Sequence, residues 1–258
     1  MNRITGGKLH VKINIGGPSI VSQINVAQIF GSDKCEVRFY ECGGKDNNGQ
    51  YLLSSLKRTP VIIQDYKHND KPTPSTCVLS DPSYNNGLRK RIFINSIGAA
   101  CDYSPEDLDE GFFSSNIVVF GGTALVPKIH DNLTSILKKA KSKGCITILN
   151  TVFDFRNEKA NPATRWPLGE SDESYRHIDL LISDKEEECR LSGENDSLEA
   201  LKFFKDKKLS SLIITNGPED ILTFSNGSFF STTGLKKMPV SGKIKNEIKR
   251  VRTGDTTG

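Results

Sequence analysis

From about residue 115 to 215, short apolar runs alternate with segments of helical period, and this alternation admits few folds. Residues 116–120 read as a buried strand ended by Gly121-Gly122. In the stretch 128–143, Ile129, Leu133, Ile136, Leu137 and Ala140 fall on one helical stripe, with Pro127 at the start and Gly144 just past a basic last turn. A second strand over 145–149 follows at once. After an irregular polar stretch containing Trp166 come a strand over 178–183, short helices near 185–191 and 196–206, and a strand over 211–215. Strands joined by helices in this order predict an α/β fold with a mostly parallel sheet covered by helices on both faces.

Residues 70–102 have a different character. Strand-like runs at 76–80 and 89–94 flank the turn-rich Asp81-Pro82-Ser83-Tyr84-Asn85-Asn86-Gly87, which is a hairpin signal. Residues 8–15, with Leu9, Val11, Ile13 and Ile15 alternating, supply a candidate strand for the same small sheet. The expected assembly is one domain over 1–258: an α/β body with a β-lid drawn from segments near 8–15 and 73–100.

Charge and cysteine usage narrow the partners. The formal charge of +4 is a small difference between 35 basic and 31 acidic residues. The densest basic run, 243–252, carries only Ile and Val between its charges in place of aromatics, so nucleic-acid binding is not expected and a solvated face is. The cysteines Cys35, Cys42, Cys77, Cys101, Cys145 and Cys189 form no C-x-x-C pair and read as reduced thiols. No apolar stretch is long enough to span a bilayer, and a cytoplasmic, non-membrane protein is expected. His10, His68, His130 and His177 share no ligand spacing, so no histidine metal site is expected.

In open parallel sheets ligands lie beyond the carboxyl ends of the strands. That rule singles out Gly121-Gly122-Thr123, Asn150-Thr151, Ser183-Asp184 and Thr215-Asn216-Gly217. Two glycine clusters add to them. Gly16-Gly17-Pro18-Ser19 leads into an amphipathic stretch, and Gly43-Gly44-Lys45-Asp46 precedes the next helix. Glycines at such junctions either let a ligand approach backbone amides or simply turn the chain. A dinucleotide-dependent oxidoreductase would need G-x-G-x-x-G after the first strand, and no such fingerprint is present.

Five segments in order resemble the ribokinase, or PfkB-type, carbohydrate kinases, and the chain ends on a sixth. GGPSIVSQINVAQIFG (16–31) resembles the family's double glycine and small-residue helix, and GGKDNNGQYL (43–52) its G-x-D-x-x-G. NTVFDFR (150–156), SDKEEECRLSG (183–193) and IITNGPED (213–220) resemble its later strand-end segments. The terminal Asp255-Thr256-Thr257-Gly258 matches the first half of the family's DTTGAGD. Departures are Val21 where the family has a sugar-holding Asn, with Asn25 one turn later, and Asp184 where it has Asn. The opening strand that brings an Asp to the sugar has no counterpart before Gly16, so both ends are expected to be short of a complete member.

The resemblance implies a ribokinase-like three-layer α/β/α sandwich with a small β-lid, and in-line phosphoryl transfer from ATP to a sugar hydroxyl with Mg²⁺ and a monovalent cation as candidate cofactors. It implies acceptor contacts from Gly16, Gly17, Asp46, Asn150, Asp154 and Arg156, and nucleotide contacts from Asp184, Glu187, Thr215 and Gly217. Glu187 and Asp255 are the implied carboxylates near magnesium, and Thr257 and Gly258 open the implied anion hole. The proton-accepting Asp of DTTGAGD would follow Gly258, so negligible turnover is expected of the 258 residues themselves. Bland alternatives stand beside these roles: a surface glutamate for Glu187, a salt bridge for Arg156, an ordinary strand-end turn for Thr215 and Gly217, packing for Trp166. A homodimer through the lid is implied, and the rival functional reading is a kinase-like binding protein without turnover.

Overall fold

The computed structural model describes residues 13–81, 90–217 and 219–240. Helix α1 (Pro18–Phe30) starts directly after Gly17, whose φ of 109° only glycine adopts readily. Strand β1 (Glu41–Gly44) leads through the cap residue Asp46 into α2 (Asn47–Leu56), and β2 (Tyr66–Asn69) pairs with β1 in parallel. Ile20, Ala27, Phe39, Leu56, Val61 and Tyr66 form a small apolar cluster under these elements.

The hairpin expected near 76–94 is formed by β3 (Ser75–Asp81) and β4 (Lys90–Ser96), antiparallel in continuous register from Ser75↔Ser96 to Asp81↔Lys90. The expected third lid strand is not formed at residues 13–15, because Ile15 packs toward the Ile20 cluster and Gly16-Gly17 then turn the chain into α1. Residues 8–12, with His10, and the turn 82–87 lie outside the described residues, as do the basic run 243–252 and Asp255, Thr257 and Gly258.

After α3 (Glu110–Phe113) the α/β body begins. Its strands are β5 (Ile117–Gly121), β6 (Ile146–Asn150), β7 (Leu180–Asp184) and β8 (Ser211–Thr215), each parallel to the one before. Two antiparallel strands, β9 (Ile221–Ser225) and β10 (Thr233–Met238), complete a six-stranded sheet of order β5-β6-β7-β8-β9-β10. The central strands alternate fully and partly buried residues, and Leu149, Leu181, Leu212 and Ile214 are almost wholly enclosed.

Crossover helices supply the other half of that core. The stripe expected over 128–143 is buried as a set, but the helix is broken into α4 (Pro127–Asp131) and α5 (Leu133–Ser142) at Asn132. The break has a local cause. Asn132 Nδ2 donates to the Lys128 carbonyl at 2.8 Å, and Glu170 accepts from the amides of Thr134 and Ser135 at 2.6 and 3.2 Å, capping α5 afresh. Gly144, at φ 86°, ends it. The polar stretch that follows β6 holds α6 (Phe155–Ala160), and Trp166 packs edge-on to Phe153 while donating to Glu158 at 3.0 Å. Helices α7 (Lys185–Ser192) and α8 (Ser197–Asp206) then join β7 to β8.

Candidate active site

Strand register places the candidate residues on one edge of the sheet. Gly121 pairs with Asn150, Asn150 pairs with Ile182, and Asp184 pairs with Thr215, so the last residues of four parallel strands share the carboxyl edge. The first glycine cluster comes to the same edge. Gly121 abuts Ser19 so closely that a Cβ on Gly121 would come within 2.6 Å of Ser19 Cα. Gly122, at φ 67°, would likewise meet Pro18 at 3.0 Å, and its amide donates to Asn150 O at 2.8 Å. The start of α1 is thus locked to the β5 end.

On its other side the double glycine is open. Among the described residues, a Cβ at Gly16 would have nothing within 4 Å, and one at Gly17 would touch only Ile20 at 3.9 Å. Among the described residues no side chain caps α1. Pro18 carries no N–H, so the amides of Ser19 and Ile20 are the first that lack the partner a serine or aspartate cap supplies elsewhere and that can donate to a ligand oxygen.

At the β7 end, Asp184 caps α7 by accepting from the Glu187 amide at 2.8 Å, and the Glu187 side chain reaches back to the Asp184 amide at 3.4 Å in a reciprocal capping box. Glu187 is buried, in contrast to the surface-glutamate alternative, and its carboxylate also accepts the Thr151 hydroxyl. Burial, reinforced by the neighbouring Asp184, pushes the Glu187 carboxyl up to about 7. Thr215 Oγ1 donates to Ser183 O at 3.4 Å, and Gly217 sits at φ 55° in the turn beyond. Asp184, Glu187, Thr151 and Thr215 accordingly form one cluster across β6, β7 and β8.

The remaining candidates are committed to the fold. Asp46 accepts from Gly49 N at 2.9 Å, from Thr73 Oγ1 at 2.6 Å and from Thr73 N at 3.0 Å, so it caps α2 and ties it to the approach to the lid. Hydrogen bonds from Thr73 and Gly49 hold its carboxyl below the usual range. Arg156 makes a two-pronged pair with Asp131, one prong at 2.7 Å, which is the salt-bridge alternative. Asp154 is buried, caps α6 through the Asn157 amide at 3.0 Å and faces His130. Val21 is half-buried against the Ile20 cluster, whereas Asn25 is exposed.

Sequence patterns did not single out His130. Its partners Thr123 and Asp154 belong to different turns, so neither shares a helix or strand period with it, and only the fold brings them together. Among the described residues no group of three or more His, Cys, Asp or Glu side chains is placed to hold a metal ion. No helix among them is long and apolar enough to cross a membrane.

The sequence profile of the pfkB family carbohydrate kinase matches residues 10–242. No curated protein matches the sequence. Among solved structures, the chain resembles a ribokinase from Thermotoga maritima at 19% identity and TM-score 0.63, covering 92% of this chain and 71% of that one. A fructokinase from Xylella fastidiosa with bound ATP gives 18% identity and TM-score 0.65 over 90% and 72% of the two chains. An adenosine kinase from Schistosoma mansoni in complex with adenosine gives 14% and 0.69 over 93% and 69%. The shared fold is the ribokinase-like three-layer α/β/α sandwich, its central sheet mostly parallel.

Proposed function

The chain belongs to the pfkB family of carbohydrate kinases, and on that premise we propose that it phosphorylates a hydroxyl of a sugar or sugar-like molecule, nucleosides included, with ATP as donor. The observation that carries this reading is the convergence of the uncapped start of α1 with the ends of β5 to β8 on one edge. The acceptor lies at the β5 and β6 ends, where Gly16 and Gly17 leave open space and Asn150 offers an oxygen. The nucleotide lies at the β7 and β8 ends, where Gly217 turns the chain after β8 at a left-handed φ.

ATP supplies the transferred phosphoryl group, and magnesium neutralises charge on the phosphates when bound. The donor set suits that ion in one specific way. Glu187 and Asp184 are hard oxygen donors on one helix start, but with no cluster of three or more carboxylates or imidazoles among the described residues the ion would be held chiefly by water and phosphate, with Glu187 orienting the water. Burial holds the Glu187 carboxyl up to about 7, and a cation beside it would favour its charged form. The proton-accepting Asp, with the anion hole opened by Thr257 and Gly258, and Asp255 beside the magnesium, stay part of the proposal on the family motif alone. No observation in the described residues addresses the monovalent cation.

The exposed apolar residues Ile92 and Ile94, on one face of β4, suit pairing of the lid with a second copy of the chain. Six free cysteines suit a cytoplasmic location. The rival reading, binding without turnover, draws on Val21, whose side chain packs toward the Ile20 cluster and offers no hydrogen bond to a sugar. ADP release measured on the protein at its native length across pentoses, hexoses, sugar acids and nucleosides decides between them. Release that requires one acceptor class supports the kinase, and saturable binding of ATP and sugar without release supports the rival.

A further inference from the structure

His130 is buried on α4, and no step of the proposed reaction uses it. Its Nδ1 lies 3.0 Å from Thr123 Oγ1. Among the described residues its Nε2 has no hydrogen-bond partner, and it stands 3.6 Å, beyond a direct hydrogen bond, from Asp154 Oδ2, which accepts from Asn157 Nδ2 at 2.6 Å. Beside that gap lies a cavity of ≈ 20 Å³ whose wall includes His130, Asp154, Thr151, Val152 and Trp166. Such a volume holds one water and excludes a substrate.

A Thr-His-Asp series has the order of a nucleophile triad, but here all three residues are buried and no substrate fits beside them. The arrangement holds parts together. Burial holds the imidazole pKa below its usual value, outweighing Asp154, Asp131 and the Pro167 carbonyl, which favour its charge, while Arg156 adds to the effect of burial. A neutral ring carries one N–H. If the Thr123 hydroxyl donates to Nδ1, the proton sits on Nε2 and points toward Asp154, where a water seated to one side of the gap can bond both.

We propose that His130 is a positioning residue: through Thr123 and one buried water on Asp154 it ties the turn after β5 to the turn after β6. Asn150 precedes the second turn, and Asp154 and Arg156 close it. His130 thereby fixes the acceptor side of the edge, a consequence that rests on the functional reading above, whereas the tie itself does not.

Two measurements test the tie in the 258-residue chain without reference to turnover. Nitrogen NMR of the labelled histidines should show His130 as the neutral Nε2–H form at pH 7; an Nδ1–H form or an imidazolium would overturn the proposal, and wild-type protein suffices for this reading. In hydrogen exchange, His130→Leu should speed exchange of the amides of 151–157 by about tenfold while leaving β7 and β8 protected, and His130→Gln, which keeps a donor near the Nε2 position, should restore most of the protection. Unchanged exchange, or a Gln variant no better than Leu, would overturn it. With turnover established, His130→Leu should raise the acceptor KM about tenfold and leave the ATP KM within about twofold. Equal rises in both would overturn the acceptor-side role, and absent turnover at native length together with the expected exchange pattern would count against the kinase reading alone.

Discussion

Gly121 and Ser19, 102 residues apart in sequence by the numbering, are in backbone contact: a Cβ on Gly121 would lie 2.6 Å from Ser19 Cα and 2.7 Å from Ser19 N. Backbone on both sides leaves no flexible side chain to yield, so α1 itself would have to move. Because that helix start also presents the double glycine, packing and the proposed acceptor contact depend on the same missing methyl group.

Gly121→Ala is therefore expected to destabilise the protein by about 1–3 kcal/mol, through overpacking. Urea denaturation should show a lower midpoint at unchanged slope, with acceptor affinity reduced alongside. A variant as stable as wild type would mean that α1 is not seated as described.

The Glu187 carboxyl has a pH signature. Its folded value of about 7 lies above the 4.5 of the free group, so between those values the folded protein holds the proton more tightly than the unfolded chain. Its contribution to stability is full below pH 4.5 and is lost as the pH rises through about 7. Relative to Glu187→Gln, wild type should lose on the order of 3 kcal/mol between these limits in urea denaturation at pH 4.5 and pH 8. Parallel pH curves for the two proteins would show that the carboxyl is solvated.

Leu137 is wholly enclosed on α5. Truncation to Ala should cost about 2–5 kcal/mol in chemical denaturation, since the surrounding core closes only partly over a deleted side chain. A cost near zero would contradict the packing of α5 on the sheet.

Much of this architecture is legible in the sequence, and the limits have physical causes. The stripe Ile129, Leu133, Ile136, Leu137 and Ala140 announces its burial by period alone, but the break at Asn132 depends on Glu170, which only tertiary contact brings to the Thr134 and Ser135 amides. Strand ends locate Asn150, Asp184 and Thr215 on a common edge because parallel pairing fixes their register. Burial of Glu187 is hidden, since the acidic run Glu186-Glu187-Glu188 looks solvated until the capping box turns its middle member toward Thr151. The antiparallel strands β9 and β10 escape notice because their short runs follow a turn and lack an intervening helix. For Arg156 the ion pair with Asp131, 25 residues away, is likewise invisible to local pattern.

The nucleotide side can be separated from the acceptor side by Gly217→Val. At φ 55° a branched side chain is strained and its bulk would meet a ligand approaching the turn. Calorimetric titration should show ATP affinity weakened by about tenfold or more, with acceptor affinity nearly unchanged. Equal weakening of both, or of neither, would remove the nucleotide from the β8 end.

Passage of phosphate from ATP to an acceptor at this edge decides the proposed function. The measurement is mass analysis of the acceptor together with ADP release, made on the protein at its native length with magnesium and the panel of pentoses, hexoses, sugar acids and nucleosides. One class of acceptor should be converted to its phosphomonoester, one ADP formed for each, with conversion strongly reduced in Gly217→Val. Binding of ATP and a sugar with no phosphorylated acceptor from any class would contradict the proposed function.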